Sequence, residues 1–251
     1  MESGIYAACS ALIARSQALD ILANNLANVN TTGYKRESQF YQALTAAQGG
    51  QALPPLNTAV NQFGILAGQH LNLSAGAMDK TNNPMDVAIQ GPGFLAVQTA
   101  GGTVYTRAGN LQVSPDGYLV TQQGDKVLGG NPKNLKPIPL PSGKPTISPD
   151  GTISVNGTLA GKIVLQEFAP GTQLTPLGQT YFSAPAGSAH TATGSTLAIG
   201  ELESSNVNAI EAETDLIALQ RHFDLLERAL KIFNTDFDQA AATQLPSTVG
   251  L

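Results

Sequence analysis

The residues best suited to chemistry in this chain are three histidines and two aspartates. His70, His190 and His222 stand far apart and lack the spacing of metal ligands. Asp116 and Asp150 could form a pair of acid–base carboxylates. Each, however, lies in the tetrapeptide Ser-Pro-Asp-Gly, whose proline and glycine are typical of a tight turn between strands. A turn explains both aspartates without catalysis.

The other candidate sites have similarly simple explanations. Glu211, Glu213 and Asp215 could bind a cation, but acidic residues also favour the positive start of a helix. The run Gly91-Pro92-Gly93 lacks the rest of a dinucleotide fingerprint and is typical of a hairpin turn. The sequence contains no nucleophile elbow, phosphate-binding loop or His-Glu-x-x-His motif. We therefore expect no cofactor and no metal, and we predict that the protein is not an enzyme.

The composition argues against several classes of partner. The chain has 251 residues, of which 12% are charged, and a formal net charge of −5. We expect no nucleic-acid partner, because there is no basic field. We expect no membrane insertion, because no apolar run approaches the roughly twenty residues of a membrane span. The amphipathic N-terminus also lacks the features of a cleaved secretory signal.

The two ends of the chain share a heptad pattern that predicts helices with narrow apolar seams. An apolar residue at every seventh position, with a second one three or four residues later, marks a seam for a partner helix. We expect a first helix over 2–29. We expect a second helix that starts after Ser204–Asn206 and ends before Pro246, and any of the residues 204–206 could cap it. The seam residues, predicted to drive assembly, are Leu12, Leu19, Leu22, Leu26, Val29, Leu216, Leu219, Phe223, Leu226, Leu230 and Phe233.

The middle of the chain reads as strands and turns. Alternating apolar and polar residues, separated by turn residues, predict strands over 86–90, 94–97, 103–107, 110–113, 118–121, 146–147, 152–155 and 161–168. The fold class is therefore α+β, with coiled-coil-type helices bracketing a β-rich domain. The predicted divisions are a helical assembly domain (1–33 and 203–245), an extended arm (34–80), a β-rich outer domain (81–202) and a tail (246–251).

Four segments, in order along the chain, resemble the flagellar basal-body rod and hook proteins. Leu22–Lys35 is similar to the N-terminal signature of that family, and Asn83–Phe94 to the start of its β domain. Tyr105–Asn110 and Leu202–Asn208 resemble later family segments, the second of them the start of the C-terminal helix. The residues of these motifs that we single out are Asn24, Asn25, Asn28, Gly33, Tyr34 and Asn206. The asparagines either bridge a helix contact or face water, and Gly33 is expected to end the first helix.

The resemblance implies a structural subunit of the bacterial flagellar basal-body rod. Its terminal helices would form an inner coiled-coil layer of a hollow axial shaft that transmits torque, with the β domain outside. The implied partners are copies of itself, other flagellar rod and hook proteins, and the flagellar type III export apparatus. The implied location is the periplasmic rod of the basal body, reached without a cleaved signal peptide.

Four alternatives remain open at this stage. The compact length and the Met1–Tyr6 start favour the proximal-rod member of the family, and the long C-terminal stretch 237–251 weakens the assignment to the distal-rod member, which is the second choice. A hook-type subunit is a further possibility within the family. Outside the family, a monomeric β-rich binding module or a hydrolase with a helical hairpin would also fit the pattern of elements.

Overall fold

The computed structural model describes residues 2–42, 65–131 and 134–244, and these residues have an α+β fold. Helix α1 (Glu2–Ala27) precedes the strands of the described chain, and helix α2 (Ala209–Gln244) follows them. The strands are β1 (Glu37–Gln42), β2 (Ile65–Leu71), β3 (Met78–Lys80), β4 (Val87–Gln90), β5 (Phe94–Thr99), β6 (Gly102–Thr106), β7 (Gln112–Val113), β8 (Leu119–Val120), β9 (Lys126–Asn131), β10 (Asn134–Pro137), β11 (Pro145–Ile147), β12 (Thr152–Val155), β13 (Thr158–Lys162), β14 (Leu165–Phe168), β15 (Thr175–Leu177), β16 (Tyr181–Ser183), β17 (Ala189–Thr191), β18 (Thr196–Ile199) and β19 (Glu201–Glu203). The predicted α+β class, with helices on both sides of a β-rich region, is confirmed. The coiled-coil character of the helices stays a prediction.

The chain divides into two compact units. One, here called the helical unit, comprises Met1–Leu26, Glu37–His70 and Asn208–Leu251. The other, here called the β unit, comprises Ala27–Arg36 and Leu71–Val207. Each unit therefore combines segments from distant parts of the sequence. The domain boundaries and the extended arm inferred from the sequence stay predictions, and residues 43–64 and 246–251 lie outside the described part of the chain.

A ten-stranded sheet dominates the β unit. Its main path runs β15-β16-β6-β5-β9-β8-β7, while β10 joins at β9, and β14 joins at β5 and carries β17. All of its recorded pairings are antiparallel, with β5 and β6 forming a hairpin in which Val97 faces Val104. Antiparallel strands can be connected by tight turns, and the short connections of this sheet agree with that rule.

Smaller sheets complete the β unit and add one strand pair to the helical unit. Strands β11, β12 and β13 form a three-stranded antiparallel sheet, and β18 pairs with β4. Strand β19 pairs with β3, which places Glu203 opposite Met78. Strands β1 and β2 form a two-stranded sheet. Hydrogen bonds in this pair include the Ser38 hydroxyl donating to the His70 carbonyl at 3.2 Å.

The core of the β unit draws aliphatic side chains from most of its strands. Its fully buried members include Ile89, Leu95, Leu119 and Ile153. Beside it lies an aromatic cluster in which the Phe94 ring meets the rings of Phe168 and Phe182 edge-on, at 5.5 and 5.9 Å between centroids. Edge-to-face contacts of this kind are favoured by the ring quadrupoles. The strands therefore supply enough apolar side chains to form a buried core in the β unit.

Both Ser-Pro-Asp-Gly turns form as the sequence predicts. The amide of Gly117 donates to Ser114 O at 2.9 Å, and that of Gly151 donates to Ser148 O at 2.9 Å. Both glycines adopt positive φ angles, 74° and 83°, which residues with a Cβ rarely adopt. The first turn connects the paired strands β7 and β8, and the second connects β11 and β12.

Several boundaries differ from the expectation. The single strand predicted over 161–168 is two strands, β13 and β14, that belong to different sheets. The stretch 171–195, over which the sequence predicts no strand, contains three short strands, β15 to β17. Helix α1 ends at Ala27 instead of Val29, and the following turn places the amide of Thr31 on Asn28 O at 3.1 Å. Gly33 therefore does not end the helix.

The end of α1 is held by a buried asparagine. The side chain of Asn25 is 0% exposed. Its Nδ2 donates to Glu37 O at 2.8 Å, and its Oδ1 accepts from Glu37 N at 2.9 Å. This reciprocal pair satisfies both backbone groups of the first residue of β1. Asn25 thus connects α1 to β1 within the helical unit.

We predict that Gly109→Ala destabilises the β unit by about 3 kcal/mol, near the upper end of what overpacking costs. A Cβ at Gly109 would lie 1.6 Å from Val87 O, a backbone atom that cannot move without disturbing β4. Urea unfolding of the purified protein measures the effect. Gly194→Ala is the matched control, because a Cβ there meets nothing within 4 Å. Equal midpoints for the two variants would contradict the packing described here.

We predict that Asn25→Ala lowers the stability of the helical unit by about 1–3 kcal/mol, because it leaves two backbone groups without their partners. Gln17 is an exposed residue of the same helix and serves as the control. Gln17→Ala should be neutral or slightly stabilising, since alanine is the better helix former. Amide exchange at Glu37 reports the difference directly. If exchange at Glu37 is unchanged in Asn25→Ala, the asparagine does not anchor β1.

Candidate functional site

A buried carboxylate lies where the two terminal segments of the β unit meet. Glu203, the last residue of β19, is 0% exposed. Its Oε1 accepts from Lys35 Nζ at 2.5 Å and from the backbone amide of Gly76 at 2.9 Å. Its Oε2 accepts from Arg107 Nη1 at 3.0 Å. Residues from three distant segments therefore converge on this side chain.

The two cations of this cluster are buried as deeply as the carboxylate. The side chain of Lys35 is 0% exposed and that of Arg107 is 3% exposed. Lys35 Nζ also donates to Ser74 O at 2.6 Å, and Arg107 Nη2 donates to the carbonyl of Gly91. The Arg107 guanidinium lies 5.1 Å from the centroid of the Phe94 ring, a cation–π distance. Each charge thus has hydrogen-bond partners in addition to its counter-ion.

The charges in this cluster do not balance. Burial lowers the pKa of the Lys35 ammonium, the hydrogen bond and charge of Glu203 oppose that shift, and the Arg107 charge adds to it. One carboxylate faces two cations, so losing the carboxylate would leave like charges together in a low-dielectric environment. Breaking a buried ion pair in this way typically costs about 3–5 kcal/mol.

The side chain of Asn206 forms hydrogen bonds with backbone groups beside this cluster. Its Oδ1 accepts from the amide of Arg36 at 2.6 Å, and its Nδ2 donates to Asn72 O at 2.8 Å and Ser74 O at 3.0 Å. Because this side chain is used here, it does not cap α2. The cap is Asn208, whose Oδ1 accepts from the amides of Ile210 and Glu211 at 3.1 and 3.3 Å. The expectation that one of 204–206 caps the helix was wrong.

Gly33 and Tyr34 are both buried in the β unit. Gly33 has a φ of 71°, and its amide donates to the backbone carbonyl of Glu203 at 2.7 Å. A Cβ at Gly33 would lie 2.4 Å from Ala108 N, so the backbones approach too closely for any side chain. Tyr34 is 3% exposed. The family-motif residue Gly33 thus serves close backbone packing.

The asparagines of the same motif differ in their environment. Asn25 is 0% and Asn28 is 6% exposed, while Asn24 is exposed. Asn28 Oδ1 accepts from the Thr31 hydroxyl at 3.1 Å, within the turn that follows α1. The possibility that all three asparagines face water was therefore wrong for two of them.

The predicted seam of α1 lies beside the face that the chain itself buries. The buried positions of this segment are Ala14, Ala18, Ile21, Asn25 and Asn28. The seam residues Leu12, Leu19, Leu22, Leu26 and Val29 are all half-buried. Four of them directly follow buried positions, and the three within α1 therefore lie about 100° further around the helix. Their assignment to subunit contacts stays a prediction.

Helix α2 has apolar side chains on two opposite faces. On the first face lie three residues of the predicted seam: Leu219 is buried, and Leu216 and Phe223 are half-buried. On the opposite face, Ile210, Ile217 and Leu225 are 78%, 52% and 61% exposed. We call these three residues the outer strip. The side chains of three further seam residues lie outside the described part of the structure: Leu226, Leu230 and Phe233.

The residues first considered for chemistry do not come together. His70 lies in β2, His222 in α2 and His190 in β17, where its Nε2 is 3.4 Å from Glu167 Oε1 across the strand pair. The carboxylate of Asp150 accepts from Thr152, and those hydrogen bonds lower its pKa. Within residues 2–42, 65–131 and 134–244, no group of three or more His, Cys, Asp or Glu side chains could hold a metal ion.

Sequence reasoning missed the Lys35, Arg107 and Glu203 cluster. All three residues lie inside the quoted family-like segments, in a chain with few charges. Each of these segments contains one charged residue among neutral ones, and this was the sign that the charge could have a special role. It does not show which charges are buried together. In the part of the chain that is described, neither helix has the length and apolar character needed to cross a membrane.

Three family models match successive parts of the chain. One described as "Flagella basal body rod protein" matches residues 5–35, and one described as "Flagellar hook protein FlgE/F/G D1 domain" matches residues 88–155. A third, described as "Flagellar basal body rod FlgEFG protein C-terminal", matches residues 199–243. Lys35, Arg107 and Glu203 each lie within one of these matches.

Curated proteins match over nearly the whole length. The flagellar basal-body rod protein FlgF of Mesorhizobium japonicum is 32% identical, over 97% of this chain and 98% of its own. FlgF of Salmonella typhimurium is 34% identical, over 98% and 99%. FlgG of Borreliella burgdorferi, also named as a flagellar basal-body rod protein, is 30% identical, over 92% and 94%. This chain therefore belongs to the flagellar basal-body rod protein family.

Proposed function

We propose that the protein is a structural, non-enzymatic subunit of the bacterial flagellar basal-body rod. In this proposal it polymerises through its terminal helices into the hollow axial shaft that transmits torque. Family membership over nearly the whole chain supports the rod assignment. The single structural observation that carries the mode of assembly is the outer strip of α2.

The outer strip has the geometry of a helix contact. Ile210, Ile217 and Leu225 are separated by seven and eight residues, so they fall within a sector of about 80° on a helix. Large apolar side chains that stay exposed at helical spacing are the anchors that a partner helix covers. The proposed occupant is a neighbouring rod subunit, because the low fraction of charged residues permits close packing of like surfaces.

The proposal gives the seam residues a different role from the outer strip. Leu216, Leu219 and Phe223 are partly or fully covered in the single chain, so we assign this face to packing within the coiled-coil layer of the terminal helices. The seam of α1 would complete that layer. A head-to-tail contact that does not close on itself generates an open helical assembly, as a rod requires.

The remaining assignments follow from the family. The proposed partners are copies of this chain, other flagellar rod and hook proteins, and the flagellar type III export apparatus. The proposed location is the periplasmic rod of the basal body. The proximal-rod position stays our proposal over the distal-rod position, and relatives of both names, FlgF and FlgG, match at similar identity.

We predict that Ile217→Asp abolishes swimming in cells that carry this gene on the chromosome. The position is exposed in the free chain, so the variant should fold and accumulate normally. In the rod the new carboxylate would be buried against a neighbour without a partner, which costs several kcal/mol per contact. Spreading in soft agar and the rod length in isolated basal bodies measure the outcome.

The matched control is Gln220→Asp, which places the same charge on an exposed position of the same helix, outside the outer strip and about 60° around the helix from Ile217. These cells should swim normally. If cells with Ile217→Asp swim like the control at equal protein levels, the outer strip is not a subunit contact. If both variants fail, the effect comes from α2 itself and not from this face.

A monomeric binding module is the alternative of a different class. Sedimentation separates the two functions, because a rod subunit at high concentration should form extended assemblies that Ile217→Asp prevents. A protein that stays monomeric at every concentration, and whose loss leaves basal bodies complete, would favour the binding module.

A further inference from the structure

Two short segments of the β unit meet although they lie 170 residues apart in the sequence. Three backbone amides, of Gly33, Arg36 and Gly76, donate to Glu203 O, Asn206 Oδ1 and Glu203 Oε1 at 2.7, 2.6 and 2.9 Å. We call residues 203–206 the closing segment. The N-terminal piece of the β unit, Ala27–Arg36, is thus fixed by residues that come about 170 positions later.

The charges make this contact conditional on Glu203. Before the closing segment arrives, the site would contain Lys35 and Arg107 without a carboxylate. Burying two cations together is unfavourable, both because each loses its hydration and because they repel. Once Glu203 is in place, both cations have a counter-ion, and the docking of Ala27–Arg36 becomes favourable. The closing segment therefore controls whether the N-terminal piece is held.

We propose that the closing segment is a latch that shuts after the rest of the β unit has folded and that opens separately from it. When the latch opens, Ala27–Arg36 is released while the sheet around the aliphatic core remains intact. Local opening of this kind is common where a segment is held by few contacts outside the main core. The core strands β5 to β9 pair with one another, and none of them pairs with the closing segment.

The latch has a consequence for a chain that is made or threaded from its N-terminus. Glu203 becomes available 168 residues after Lys35. Until then the cluster holds Lys35 and Arg107 without their counter-ion. For the rod subunit proposed above, Ala27–Arg36 would be held by the complete cluster only after the closing segment has emerged. This consequence rests on the proposed function, whereas the latch itself does not.

Native-state amide exchange of the full-length protein tests separate opening. The amides of Gly33, Arg36 and Gly76 report the latch, and those of Leu119 and Ile163, which donate within the core, report the β unit as a whole. We expect the three latch amides to exchange together and faster than the core amides. Exchange of all five through one common unfolding event would overturn the proposal.

Pulse-labelling during refolding tests the order of closure. We expect the amides of Leu119 and Ile163 to gain protection first, and those of Gly33, Arg36 and Gly76 to gain it in a later phase. Protection of the latch amides in the same phase, or in an earlier one, would show that the closing segment belongs to the folding core and is not a latch.

Glu203→Gln tests the role of the charge, because glutamine retains an acceptor oxygen and the shape of the side chain. We expect exchange of the latch amides to accelerate by about two orders of magnitude, as expected for a broken buried ion pair, with core exchange little changed. Glu201→Gln is the matched control in the same strand and should leave all five amides unchanged. Unchanged latch exchange in Glu203→Gln would overturn the charge argument.

A second variant keeps the test decisive if Glu203→Gln does not fold. Lys35→Met leaves Arg107 and Glu203 as a balanced pair, so the β unit should remain folded while the amides of Gly33 and Arg36 exchange faster. Equal acceleration of latch and core amides in Lys35→Met would contradict a separate latch. Neither result depends on motility, so failure of the latch and failure of the rod assignment are distinguishable.

Discussion

The burial of Glu203 is the interaction on which the arrangement of the chain depends. A carboxylate removed from water needs cations and hydrogen-bond donors close by, and here they come from Lys35, Arg107 and the amide of Gly76. Each donor lies in a different segment, so satisfying one side chain fixes four parts of the chain at once. The carboxylate is the critical member, because its loss would leave two buried cations without a counter-ion. This explains why the N-terminal and C-terminal parts of the β unit meet at one cluster.

The two units use different sources of stability. The β unit closes an aliphatic core with strands whose turns contain the residues that such turns require, so it gains most of its stability internally. The helical unit has apolar side chains on several faces and leaves the outer strip of α2 exposed. Helices of this kind gain stability mainly from packing. A folded β unit combined with helices that retain exposed contacts is consistent with a subunit that completes its packing in an assembly.

The sequence predicted the strands that alternate and the turns that contain proline and glycine, because both signals are local. It did not predict β15 to β17, which have three residues each and are held by neighbouring strands more than by their own pattern. Heptad spacing located both helices, but not the buried face of α1, where alanines and asparagines take the inner positions beside the leucines. The Glu203 cluster was missed because pairing across 168 residues leaves no local signal. Asn206 was misassigned as a possible cap for the same reason: its partners lie in distant segments.

We propose that α2 of this rod subunit contacts its neighbours through the outer strip, while the Glu203 cluster holds together distant segments of the β unit. Electron cryomicroscopy of intact basal bodies from cells that express this subunit tests both points in one measurement. We expect Ile210, Ile217 and Leu225 to be covered by an adjacent subunit, with Lys35 and Arg107 on Glu203 in every copy. A rod in which these three side chains face solvent, or basal bodies from which this chain is absent, would contradict it.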